Sequence, residues 1–187
     1  KMAEDDDEND YFFIIDEINR GNLSKIFGEL FMLIEKDKRG IELQLLYSDE
    51  NFSVPANVYI IGMMNTADRS LAMLDYALRR RFSFFTIKPG FNTPGFQAYQ
   101  DSLKNDAFNK LIACVKQLNS QIVEDISLGE GFCIGHSYFC GLTPETANTQ
   151  TLSSIVEYEL IPLLKEYWFD EPEKIIDWSD RLRSTVK

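Results

Sequence analysis

Tyr11-Phe12-Phe13-Ile14-Ile15-Asp16-Glu17 is five apolar residues in a row that stop at two carboxylates. So short and unbroken a run fits a strand buried on both faces of a parallel sheet better than an alternating surface strand. Val58-Tyr59-Ile60-Ile61-Gly62-Met63-Met64 repeats the form and also ends in polar residues, Asn65-Thr66-Ala67-Asp68. After the first run, Asn22 or Ser24 can cap a helix reaching about Lys36, with Ile26, Phe27, Leu30, Phe31 and Ile34 on one face and Gly40 as its stop. Residues 41–46 and 52–54 read as a small hairpin around 48–51. After the second run, Ser70 caps a helix from Leu71 to about Arg80, and residues 82–87 are a third strand candidate. Ligands of open α/β sheets sit beyond the carboxyl ends of the strands. Asp16, Glu17, Asn65 and Asp68 are thereby nominated as one site.

Outward from that core, Pro89-Gly90 and Pro94-Gly95 break the pattern, and the remainder turns helical. Leu111, Cys114, Val115, Leu118 and Ile122 form one stripe. Leu152, Ile155, Val156, Leu160, Leu163 and Leu164 form another, in a helix that Pro162 should kink, and a last helix begins near Pro172 or Glu173. The expected organisation is an acidic mobile segment over 1–10, an α/β part over 11–88 and a helical part over 89–187.

Composition narrows the function classes. The formal charge of the 187 residues is −11, and six of the acids fall within residues 4–10. A chain gripping phosphodiesters needs a basic face, so direct binding of DNA or RNA by this chain is disfavoured. The three cysteines, Cys114, Cys133 and Cys140, form no C-x-x-C pair, and His136 is the single histidine, which argues against a disulfide framework or a zinc site and for a reducing cytoplasm. No apolar run approaches the roughly 20 residues that cross a bilayer.

The hydrophobic strand ending in Asp16-Glu17 has the form of a Walker B element. In such an element the first carboxylate helps hold Mg²⁺ on the nucleotide phosphates and the second orients or polarises water. Acids capping the next segment are the plainer reading of the pair. Asn65 stands where a sensor side chain can donate to a phosphate or a water and accept from one, although a loop Asn in a left-handed turn has the same signature. Asp68 is equally a turn residue. Arg79-Arg80-Arg81 can be three cations answering a helix dipole, or an arginine finger reaching a neighbouring subunit's site.

Three stretches, 12–24, 59–70 and 75–82, together resemble the McrB-type AAA+ GTPases, the motor subunits of modification-dependent restriction endonucleases. Their most specific feature is the Asn65-Thr66-Ala67-Asp68 loop, and Gly131-Phe-Cys-Ile-Gly-His-Ser-Tyr-Phe139 resembles that family's lid. The resemblance implies the Walker B-onward part of an AAA+ P-loop NTPase core followed by an α-helical lid. It further implies a homo-oligomeric, hexameric ring, Mg²⁺-dependent hydrolysis of GTP rather than ATP, and an McrC-type nuclease partner. By the same carry-over Asp16 binds Mg²⁺, Glu17 activates water, Asn65 is the sensor and Asp68 belongs to the signature loop. Arg80 or Arg81 acts in trans, and Arg20 and Asn22 face the neighbouring subunit. His136, in a Gly-rich loop of the lid, could touch nucleotide, or be an ordinary packed or surface histidine. Contact with modified DNA is expected only through an N-terminal domain outside this chain or through the partner.

No G-x-x-x-x-G-K-[ST] occurs anywhere in the sequence. Without the backbone amides and lysine of that motif, this polypeptide by itself is expected not to turn over GTP. Without the strand that carries the motif, the family's sheet should present apolar faces and unpaired edges. Two alternatives stay open: a MoxR-like AAA+ ATPase chaperone, and a non-hydrolysing AAA+ assembly module.

Overall fold

The structure is a computed structural model that describes residues 2–46, 48–65, 67 and 76–187. The expected Ser70 cap, the first turns of its helix and Asp68 lie outside the described residues. The chain divides into two compact units, 1–85 and 86–187.

In the first unit, β1 (Tyr11–Ile15) and β4 (Val58–Gly62) pair in parallel, in register from Tyr11 opposite Val58 to Ile15 opposite Gly62. Phe12 stacks on Tyr59 across that register, ring centroids 5.5 Å apart. The hairpin is present as β2 (Leu43–Gln44) and β3 (Asn51–Phe52), antiparallel. The helix expected to run to Lys36 is broken. Its α-helical part is α1 (Leu23–Phe27), and from Gly28, which takes φ +51°, the chain winds as 3-10 turns over Gly28–Ile34 and Lys36–Lys38. A left-handed residue cannot continue an α-helix, and glycine reaches that region without a Cβ clash. The helix that carries the arginines is described as α2 (Tyr76–Arg81).

Three expectations for this unit need correction. The strands are not covered on both faces: Phe12, Phe13 and Ile14 are 61%, 54% and 59% exposed, because two strands and the short helices beside them cannot cover a sheet. That is the exposure of apolar faces anticipated for a sheet without its P-loop strand. Residues 82–87 form no strand, since among the described residues no partner presents an edge to them, and Phe85 and Ile87 stand almost fully exposed. Residues 2–10 are not a loose arm. Asp6 accepts from the Tyr11 hydroxyl at 2.9 Å, and the Asn57 side-chain amide donates to the carbonyls of Ala3, Asp6 and Asn9.

The second unit is helical: α3 (Pro94–Leu103), α4 (Asp106–Glu124), α5 (Thr149–Ile155), α6 (Ile161–Tyr167) and α7 (Pro172–Thr185). Thr93, Asn105 and Asn148 cap the first three, each side chain accepting a backbone N–H three residues on. The stripe from Leu111 to Ile122 is buried, and Trp168, Phe108 and Phe139 are fully enclosed. Pro162 acts as expected but in a specific way. Its missing N–H and its ring disrupt the ladder one turn back, and Val156–Leu160 relaxes into a π-helical turn that joins α5 to α6.

Candidate functional site

The parallel pairing of β1 and β4 decides what meets at their carboxyl ends. The ladder continues past both strands, Met63 N–H donating to Ile15 O at 2.8 Å and Ile18 N–H to Met63 O at 2.9 Å. The loop carrying Asp16 and Glu17 is thus tied to the loop carrying Asn65. Ile18 is 5% exposed, packs with Phe31, and lies so close to Gly62 that a Cβ there would meet its Cδ1 at 2.5 Å. A larger residue at Gly62 would thus have to displace the Ile18 side chain.

Asp16 is exposed, and its Oδ1 accepts the Glu17 N–H at 2.9 Å. Glu17 takes φ +50°, a strained conformation for a residue with a Cβ and one that recurs at functional turns. Its carboxylate pairs with the Arg20 guanidinium, so Arg20 is engaged within its own chain. Asn22 accepts the Lys25 N–H at 2.9 Å and starts α1. Asn65 Oδ1 accepts the Ala67 N–H at 3.0 Å, so what this side chain offers a ligand is its NH₂ donor.

Arg81 has partners of its own. Arg81 ion-pairs with Glu35 at 2.5 Å, and its guanidinium lies 4.6 Å over the Phe31 ring. It shares a shallow depression with Ile34, Arg39 and Ile60, and Arg39 donates to Val58 O, where β4 begins. Arg81 thereby borders β4, and Phe31 links it to the small core around Ile18.

His136 belongs to the second unit, where its Nδ1 accepts the Gly90 N–H at 2.9 Å and its ring packs edge-on against Phe91 and Phe96. These contacts give His136 a packing role within the lid. Sequence reasoning missed Glu35 and Phe31 as partners of an arginine. A glutamate directly after an apolar helical face was the available signal.

The described residues contain no group of three or more His, Cys, Asp or Glu able to cage a metal. A hydrated Mg²⁺ does not need a cage, since it takes one or two carboxylates and completes its shell with water and phosphate. Asp16, with one oxygen committed to a backbone N–H, fits that requirement.

An α/β unit with an acid-tipped strand beside a polar-tipped one, followed by a helical unit, defines an AAA+ core and lid. Comparison with known proteins gives the same division: residues 4–82 match the AAA domain of the dynein-related subfamily, and residues 110–176 match the McrB alpha-helical lid domain. The chain is 52% identical over 192 residues to the Type IV methyl-directed restriction enzyme EcoKMcrB subunit of Escherichia coli K12, covering 97% of this chain and 42% of that one. It is 29% identical over 143 residues to the Type II restriction enzyme BsuMI component YdiS of Bacillus subtilis 168, covering 65% of this chain and 42% of the relative. The chain belongs to the McrB-type AAA+ proteins, and it spans less than half the length of these two relatives. Among its described residues no helix is long and apolar enough to cross a membrane.

Proposed function

We propose that this chain is the catalytic-acid and lid portion of a GTP-hydrolysing ring motor that drives an McrC-type nuclease partner in a restriction system. The observation that carries the reading is the β1–β4 pairing, which ties the Asp16-Glu17 loop to the Asn65 loop. Asp16 would hold Mg²⁺, whose charge offsets that of the phosphates. Glu17 accepts a proton from, or orients, the attacking water, and release from Arg20 frees its carboxylate to do so. Asn65 donates its NH₂ to the γ-phosphate or to that water. Asp68 belongs to the same loop, and Asn22 shapes the segment after the acids.

The three consecutive arginines that end α2 support a ring. In a ring, an arginine of one subunit can serve the acids of its neighbour. The phosphate cradle must come from a P-loop outside this sequence. Two relatives named as restriction-enzyme components favour the restriction role over a chaperone. The preference for GTP over ATP rests on the family.

The test is steady-state hydrolysis of GTP and of ATP, with Mg²⁺, by the full-length protein and its Glu17→Gln variant, with and without the nuclease. GTP-selective turnover that falls by about 10²-fold or more in Glu17→Gln is expected. Turnover of ATP instead selects the chaperone reading, and no turnover of either selects an assembly module.

A further inference from the structure

The helical unit begins at residue 86, and the first residues of its chain are held by a loop some forty positions further on. Residues 83–88 are exposed, whereas Gly90 and Phe91 are buried. Lys88 Nζ pairs with Glu130 at 2.6 Å, Gly90 N–H donates to His136 Nδ1 at 2.9 Å, and Gly90 O accepts the Thr93 hydroxyl at 2.7 Å. The ion pair is exposed on both sides and contributes little by itself. The histidine contact is the specific one. Its ring packs edge-on against Phe91 and Phe96 and approaches Gly90 so closely that a Cβ there would lie 3.0 Å from Cε1.

His136 is held in turn by α4. Asn119 Oδ1 accepts the Ile134 N–H at 2.7 Å, and Asn119 Nδ2 donates to Ile134 O at 2.9 Å, the pair of bonds that a neighbouring strand would make. The side-chain amide is thus committed to one loop residue two positions before the histidine. Leu118 and Ile122 of the same helix are fully buried, so Asn119 stands on an element fixed in the core. On the other side, Cys140 Sγ donates to His136 O at 3.4 Å. A line of contacts therefore runs from α4 through Asn119, Ile134 and His136 to Gly90. Because Nδ1 accepts from a backbone N–H, the neutral imidazole carries its proton on Nε2.

We propose that the Gly-rich loop 129–136 is the lid's grip on the chain that joins it to the motor core, with His136 and Asn119 as positioning residues. Through His136 Nδ1 the loop makes residues 88–93 part of the lid's rigid body. A change in lid angle is then delivered to the core at Lys88 instead of being absorbed by a slack connection. The mechanical role rests on the ring-motor reading, whereas the grip itself is a property of the lid alone.

The experiment uses the full-length protein and the substitutions His136→Ala, His136→Asn, His136→Gln and Asn119→Ala. An asparagine carbonyl oxygen takes the place of Nδ1, and a glutamine carbonyl oxygen that of Nε2, so the pair asks which ring nitrogen matters. Amide hydrogen exchange over residues 90–93 should quicken by about 10-fold or more in His136→Ala and His136→Gln and stay at the wild-type rate in His136→Asn. Asn119→Ala, two contacts away, should quicken the same amides. Emission from the buried Trp168 and Trp178 reports that the lid is folded in each variant. In steady-state assays, the variants that lose protection should lower the kcat for GTP by about 10-fold with KM unchanged, and His136→Asn should keep the wild-type kcat.

The grip is overturned if His136→Ala leaves exchange over 90–93 unchanged, or if His136→Gln restores protection where His136→Asn does not. Its mechanical role is overturned by a wild-type kcat in a variant whose 90–93 amides exchange freely. A wild-type protein without GTP or ATP turnover sinks the motor reading instead, and the exchange pattern then still decides whether the loop holds the joining chain.

Discussion

The two units of this chain are built from similarly apolar sequence and end in opposite conditions. In the helical unit, a single core runs from Phe91 to Val186 and encloses Phe108, Leu118, Phe139 and Trp168 completely. In the α/β unit, Ile18, Phe31 and Leu33 are buried, while most of β1 and much of β4 face outward. The difference lies in topology. A helix satisfies its own backbone, so five helices can close a core among themselves. A strand needs neighbours on both edges and cover on both faces, and two strands cannot supply them. An apolar strand is thus a statement about how many other elements its sheet must have. The helical unit closes a core of its own, whereas the described strands that carry the acids leave apolar faces open.

The largest effects should separate the units. Residues 86–187 alone should unfold cooperatively in urea. Both tryptophans, Trp168 and Trp178, lie there and are buried, so fluorescence reads that unit specifically. Residues 1–85 alone should bind a hydrophobic dye and melt without a sharp transition. Within the whole chain, Phe108→Ala should shift the tryptophan-detected transition by about 4 kcal/mol, as for other fully enclosed aromatics. Ile14→Ala, at a site 59% exposed, should cost less than about 1 kcal/mol. Equal costs at the two positions would mean that β1 is covered after all.

A middle-sized effect comes from a polar knot in the lid. Asp125 accepts from Lys174 Nζ at 2.6 Å, Trp168 Nε1 at 2.8 Å and both groups of Ser127, and Lys174 also lies over the Trp168 ring. The Lys174 ammonium, followed by the Ser127 hydroxyl, holds the Asp125 carboxyl well below its ordinary value of 3.8. A depressed carboxylate contributes stability that is complete above the unfolded-state value and fades as pH drops below it. The unfolding free energy of the lid should therefore decline below about pH 4. Asp125→Asn should remove about 2 kcal/mol at neutral pH and flatten that acid limb. An acid limb unchanged in the variant would show that other carboxylates cause it.

What could be read in advance follows the same division. The 3.6-residue spacing of Leu111, Val115, Leu118 and Ile122 gave α4 and its buried face, because a helix's pattern is local. Helix α3 escaped notice although Thr93-Pro94 is a cap followed by a proline at the first turn, a signal masked by reading Pro94-Gly95 only as a break. The identities of β1 and β4, and the acids at their ends, were legible from composition. Their exposure was not, since it depends on elements that the sequence of a strand does not name. Asp125 with Trp168 and Glu35 with Arg81 join residues more than forty positions apart in each pair, and no periodicity links such partners.

The smallest effect sharpens the comparison within the lid itself, at its lone histidine. A residue that grips nucleotide and one that fills a core respond differently to removal. His136 accepts the Gly90 N–H, and its ring atoms lie so near Gly90 that a Cβ there would sit 3.0–3.2 Å from them. His136→Ala leaves that N–H without its acceptor and opens a gap between Phe91 and Phe96, so the lid should lose about 1 kcal/mol. Gly90→Ala presses on the same ring from the other side and should cost a similar or smaller amount, because the ring must shift by only a few tenths of an ångström. In the full-length protein both variants should keep the wild-type KM for GTP. A large rise in KM for His136→Ala, with a smaller one for Gly90→Ala, would return the histidine to the nucleotide and show that this loop of the lid is shaped for binding as well as for packing.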